Sequence, residues 1–212
     1  MNIYLDHISK RFGREWIFKD VCLQFEGAKT YALTGSNGSG KSTLLQVIAG
    51  FMHPGKGTMK YQNELGKMYQ EHEIASAISC CTPYMELIEE LSLDEFFQYH
   101  FRFKKPIMPI NDIVDQIGLG EHRNKYIVHF SSGMKQRVKL AQAIFADTEV
   151  LLLDEPCSNL DAAGIEQYHQ FMQQWLGNRL LIVASNDADE YSMCSEHISM
   201  HQLKPVSHDS NK

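Results

Sequence analysis

The run from Gly35 to Ser42 reads Gly-Ser-Asn-Gly-Ser-Gly-Lys-Ser, and Thr43 follows. No other stretch constrains this chain so tightly. It matches the phosphate-loop pattern G-x-x-x-x-G-K-[ST] without a mismatch, and chance matches in a chain this long occur roughly once in a hundred. Glycines at 35, 38 and 40 allow the backbone to curl so that successive N–H groups point into one concavity and bind an anion. Lys41 then reaches the β- and γ-phosphates, and the Ser42 hydroxyl ligates Mg²⁺. A helix starting near Lys41 aims its positive dipole end at the same place. Gly35, Ser36, Asn37, Gly38, Ser39, Gly40, Lys41, Ser42 and Thr43 are therefore the candidate phosphate-binding residues. The alternative is a Gly/Ser-rich surface turn, and the flanks argue against it. Thr30–Leu33 suits a short strand entering the loop. Leu44, Leu45, Val47 and Ile48 form the apolar side of a helix leaving it, with Gly50 as its C-terminal stop.

Composition limits the setting. The chain has 212 residues, 43% hydrophobic, enough for one sizeable core. Its net charge of −6 disfavours a basic groove, so no nucleic-acid partner is expected. No apolar run approaches the roughly 18–20 residues needed to cross a bilayer. The start lacks a basic end followed by an apolar run, so no secretory signal is expected. Five cysteines without framework spacing fit reduced thiols and a cytoplasmic protein. Cys80 and Cys81 read as buried strand residues.

Along the chain, residues 1 to about 28 alternate apolar and polar and predict antiparallel strands. Thr58–Tyr61 predicts another short strand, Ala77–Cys81 a buried one. The stretch from about 84 to 145 reads as mainly helical, with breaks at Pro106, Pro109, Gly118 and Gly120. Val150–Leu153 and Leu180–Ala184 suit central parallel strands. A last strand is expected over Ile198–Leu203, and a polar tail from 205 to 212. The expected fold is α/β: a phosphate-loop core with a mainly parallel sheet, an N-terminal antiparallel β portion and an inserted helical subdomain, all within one domain spanning 1–212.

Val150-Leu-Leu-Leu-Asp154-Glu155-Pro156 is an apolar strand ending in two carboxylates. Opposite a phosphate loop, Asp154 suits Mg²⁺ and Glu155 suits the proton of an attacking water. Between the two motifs lies Phe130-Ser131-Ser132-Gly133-Met134-Lys135-Gln136-Arg137. In isolation this is only a turn that starts a helix. Its position is informative, because the whole arrangement resembles the ATP-binding cassette (ABC) family. That family carries a Leu-Ser-Gly-Gly-Gln signature just ahead of the second acidic strand. The resemblance covers nearly the whole chain. It places Phe12 where the family stacks an aromatic residue on adenine. Ser158-Asn159-Leu160-Asp161 falls on the loop that touches a partner subunit.

The resemblance implies ATP and Mg²⁺ as ligands. It implies that Ser131, Ser132 and Gly133 meet the γ-phosphate bound on an opposite subunit, so that two chains sandwich two nucleotides head to tail. The partners implied are a second cassette, identical or paired, and a separate membrane permease. The chain would then lie in the cytoplasm at the inner face of the membrane. The family's catalytic positions fall on Glu155, Lys41 and Asn186, and the metal positions on Ser42 and Asp154. Two other readings stand beside the transporter subunit: a soluble ABC ATPase in assembly or regulation, and a slow or non-hydrolysing nucleotide sensor.

Three departures bear on rate. The family's glutamine after the 77–81 strand is absent, where Cys81-Thr82-Pro83-Tyr84-Met85-Glu86 stands, and Thr82 offers only a hydroxyl. Asn186 replaces the switch histidine, and an amide donates a hydrogen bond without carrying a charge. Ser132 and Met134 replace Gly and Gln in the signature.

Other features point to structural roles. His197 and His201 lack a third ligand. The aromatic run Phe96–Phe103 suits a subdomain core, or a groove for a partner's helix. Glu86, Glu89 and Glu90 suit a solvated helical face.

Overall fold

The computed structural model describes residues 1–204. Two sheets organise it. The first is antiparallel, with β1 (Asn2–Phe12) between β2 (Glu15–Phe25) and β4 (Lys56–Gln62). The second is parallel throughout, in the order β5 (Ile78–Cys81), β6 (Val150–Asp154), β7 (Leu180–Ala184), β3 (Thr30–Thr34) and β8 (Glu196–Ser199).

Periodicity explains the difference between the sheets. In β1 the outward Tyr4 and Asp6 alternate with the buried Ile3 and Leu5, which suits a sheet with one solvated face. In β6 and β7 every residue is buried, because helices cover both faces of a parallel sheet. Each such Leu, Ile or Val contributes about 1.5–3 kcal/mol by leaving water.

α1 (Lys41–Ile48) follows β3 and packs against β6 and β7 through Leu44, Leu45, Val47 and Ile48. Gly50, at φ 78°, is its left-handed stop. Then come α2 (Glu71–Ala77), α3 (Leu93–His100), α4 (Ile110–Gln116) and α5 (Ser132–Ile144). Phe96, Phe97, Ile113, Val114, Ile127, Phe130 and Val138 form one buried cluster among them, continuous with Leu151, Leu153 and Val183 of the sheet. α6 (Ala162–Trp175) follows β6, and α7 (Met200–Leu203) follows β8. None of these helices is long and apolar enough to cross a membrane.

Three expectations need adjustment. The last strand is Glu196–Ser199, earlier and shorter than 198–203, because the fully buried Met200 starts a helical turn. His197 and His201 thus stand on different elements. Residues 84–91 carry no helix, so Glu86 lies on irregular chain and Glu89 and Glu90 on a turn, and Glu89 pairs with Lys135 at 2.5 Å. Within the aromatic run, Phe96 and Phe97 are core while Tyr99 and Phe103 are exposed. Residues 205–212, expected as a polar tail, lie outside the described residues.

Candidate nucleotide site

The loop 35–40 joins β3 to α1, and its shape depends on close packing. Gly40 adopts φ 103°, and a Cβ there would sit 2.3 Å from Ile17 Cγ2 of β2. Only glycine satisfies both the left-handed backbone and that approach. Lys41 opens α1, and its buried ammonium folds back over the loop. Its Nζ donates to the Gly35 carbonyl at 2.8 Å and to the Ser36 carbonyl at 3.4 Å. The Ser39 hydroxyl is buried in the same loop without a hydrogen-bond partner. α1 has no acidic residue in its first turn, so nothing there opposes an anion at its N-terminus.

Asp154 ends β6 and is 1% exposed, and neither carboxylate oxygen has a hydrogen-bond partner. Burial pushes its carboxyl up to about 6, opposed by the nearby Ser42 hydroxyl, assisted by the Glu155 charge and opposed again by Lys41. A buried carboxylate left this way is costly unless it meets a cation. With the Ser42 hydroxyl it forms an all-oxygen donor pair, which fits Mg²⁺.

Glu155 turns the chain out of the sheet. Its backbone is at φ 45°, unusual for a residue with a side chain, and its N–H is held by the Ala184 carbonyl of β7 at 2.9 Å. The next loop brings Asn186 beside the phosphate loop. Its Nδ2 donates to Asn37 Oδ1 at 3.3 Å.

Sequence reasoning missed Glu190, which ties these loops together. It is buried, its Oε1 accepts from the Cys157 N–H at 2.8 Å, and its Oε2 accepts from the Ser185 hydroxyl. Burial raises its carboxyl above the usual range, and the bonds from Ser185 and Cys157 oppose that. Its carbonyl also accepts from Tyr168 Oη at 2.8 Å. One carboxylate thus connects the segment after β6 to the segment after β7. Gln136 was missed too. Buried on α5, its Nε2 donates to the Pro156 carbonyl at 2.7 Å, fastening that helix beside Glu155. A polar residue inside the apolar register of α5 was the available signal. Glu190 offered none, since an acid near a turn reads as solvated.

The signature residues stand at the N-terminus of α5, whereas the phosphate loop precedes α1. Ser131 is the N-cap of α5, its Oγ accepting from Met134 N–H at 3.3 Å. Ser132 is exposed, and a Cβ on Gly133 would meet the Asn159 carbonyl at 3.1 Å. Among the described residues, no hydrogen bond joins Ser131, Ser132 or Gly133 to residues 35–43. Asp161 caps α6, accepting from Gly164 N–H at 2.9 Å and from Arg137 at 3.3 Å. Phe12 ends β1 with its ring 51% exposed and the Lys10 ammonium 5.7 Å from its centroid. Thr82 is buried just after β5.

The glycine loop before α1, the acidic end of β6 and the all-parallel order define a phosphate-loop nucleotide-binding protein. A family model described as ABC transporter matches residues 18–158, and the chain belongs to that family. It is 29% identical over 199 residues to the uncharacterized ABC transporter ATP-binding protein YybJ of Bacillus subtilis, covering 92% of this chain and 90% of that protein. Its fold matches a putative ABC transporter ATP-binding protein from Pyrococcus furiosus, with TM-score 0.79 and 19% identity over 97% of this chain and 100% of the other. It also matches the dimeric cassette MJ0796 in a post-hydrolysis state bound to ADP and Pi, with TM-score 0.79 and 21% identity over 95% and 94% of the two chains.

Proposed function

We propose that this chain is the ATP-binding subunit of an ABC transporter, hydrolysing Mg-ATP in a head-to-tail dimer to drive a separate permease at the cytoplasmic face of a membrane. The observation that carries the reading is the buried, unpartnered Asp154 carboxylate beside Ser42, at the mouth of a loop whose lysine is already folded over it. The backbone N–H groups of residues 36–43 cradle the phosphates, and Phe12 stacks on the adenine. Lys41 exchanges its loop carbonyls for β- and γ-phosphate oxygens. Ser42 and Asp154 would hold Mg²⁺, which would supply charge neutralisation for the phosphates.

Glu155 orients the attacking water and accepts its proton. Asn186 donates to the γ-phosphate. Among the described residues Ser131, Ser132 and Gly133 make no hydrogen bond to the chain's own loop, and they serve the nucleotide held by the partner. Asp161 lies on the loop that meets that partner. The MJ0796 dimer supports this pairing as a precedent in the same fold. Catalysis then rests on positioning and on charge stabilisation rather than on covalent chemistry.

Single-turnover hydrolysis of Mg-ATP tests the proposal. Wild type turns over, Glu155→Gln binds ATP without turnover, and Lys41→Ala loses binding. Equal rates in wild type and Glu155→Gln would overturn the assignment of Glu155.

A further inference from the structure

The β1–β2 pair carries a second cluster of chemistry-bearing residues that the nucleotide reading does not use. Asp6, His7 and Cys22 each place one ligand atom within 4.8 Å of the others. The backbone is shaped to do this. In a regular strand Asp6 and His7 would face opposite sides. Here β1 has an extra residue between the pairs Leu5↔Leu23 and Ile8↔Val21, and β2 has one between Val21 and Phe18. His7, at φ 52°, and Asp20, at φ 58°, are the residues at these two bulges. Bulges re-aim side chains, and these complementary ones restore the register while turning His7 onto Asp20. On the other side of β1, Gly57 of β4 accommodates the bulge. A Cβ there would meet the Asp6 carbonyl oxygen and the His7 backbone at 2.5 Å.

The result is an ordered set of donors. His7 Nδ1 is bonded to Asp20 Oδ1 at 2.7 Å. That leaves Nε2 facing Asp6 Oδ1 at 3.9 Å. Two such atoms bound to one zinc ion at about 2.0–2.1 Å in tetrahedral geometry stand roughly 3.3 Å apart, so a small side-chain rotation closes the pair. Cys22 Sγ accepts from the His7 N–H at 3.4 Å and is exposed, whereas the other four cysteines are buried. A carboxylate behind the second nitrogen of a ligating histidine fixes its ring and raises its basicity. Asp6 and Cys22 line an open cavity of about 600 Å³ with Lys60, and His7 is itself exposed to solvent. Against that single lysine stand the carboxylates of Asp6 and Asp20.

We propose that Asp6, His7 and Cys22 bind a transition-metal ion of the zinc class on the outer face of the antiparallel sheet, with Asp20 orienting His7. One thiolate, one imidazole and one carboxylate, with water in the fourth position, is a donor set that suits Zn²⁺ rather than Mg²⁺. The ion clips β1 to β2 and stabilises the folded chain by mass action.

The test uses Co²⁺ alone as probe, added to the reduced full chain without nucleotide. A near-ultraviolet thiolate-to-cobalt charge-transfer band is expected. Zn²⁺ should abolish it by competition. Cys22→Ser should remove the band, His7→Ala should weaken binding at least about tenfold, and Asp20→Ala about 10- to 100-fold. ATP binding by each variant should match wild type, showing that the fold is intact. Absence of the band in wild type, including cobalt bound only by carboxylates, overturns the proposal. So does a band that survives Cys22→Ser, or cobalt affinity unchanged in His7→Ala.

Discussion

The Asn186 carboxamide donates to the Asn37 side-chain oxygen at 3.3 Å, joining the segment after β7 to the phosphate loop 149 residues earlier. In the proposed reading, Asn186 would exchange this partner for a γ-phosphate oxygen. An amide supplies a neutral donor where a protonated histidine would supply a charged one, and charged donors make roughly twice as strong a bond. Asn186→His should therefore raise the single-turnover rate. Asn186→Ala should lower it by up to about 10²-fold, the scale for losing one transition-state donor. ATP affinity should change little in either. Rapid-quench hydrolysis with bound-nucleotide measurement checks this, and an Ala variant at wild-type rate removes Asn186 from the mechanism.

Asp154 makes stability depend on pH. Its folded-state value near 6 lies above the unfolded value of 3.8, so between those values the folded chain holds the proton more tightly. Stability therefore falls as pH rises through this window, and the penalty is complete above about 6. Two pH units correspond to about 3 kcal/mol. In metal-free buffer, Asp154→Asn should be more stable than wild type at pH 8 by up to that amount, with a flatter profile from pH 4 to 6. Mg-ATP should reverse the order by stabilising wild type alone. Urea unfolding across pH reads both effects.

Glu190 gives a separable prediction. Its removal leaves the Cys157 N–H and the Ser185 hydroxyl buried without their acceptor. Each such loss costs about 1–3 kcal/mol, so Glu190→Ala should destabilise by about 2–6 kcal/mol. Hydrolysis should fall further than ATP affinity, because Ser185 precedes Asn186 and Cys157 lies two residues beyond Glu155. Chemical denaturation and single-turnover assays together distinguish this from simple unfolding, in which both would fall together.

The central strands were legible because Val150–Leu153 and Leu180–Ala184 are apolar at every position, a pattern that tertiary context cannot easily override. The phosphate loop was legible because each of its residue types has a separate physical task. α2 was not, since Ala77 is its only buried residue and its start is held by a reciprocal Gln70–Glu73 capping box with Gln in the capping position. The paired bulges at His7 and Asp20 were hidden because alternation reports a face and not an inserted residue. Gln136 acts through Pro156, 20 residues away, and Glu190 joins nearby Ser185 to Cys157, 33 residues away, which no local pattern encodes.

The assignment of Ser131–Gly133 to the partner's nucleotide makes dimerisation the central claim. Sedimentation of Glu155→Gln with Mg-ATP tests it most directly, alone and combined with Ser132→Arg. The account predicts a monomer without nucleotide, a dimer with ATP, and an ATP-loaded monomer once Ser132 is replaced. A Glu155→Gln chain that stays monomeric with ATP bound, or dimerises equally with Ser132→Arg, would contradict it.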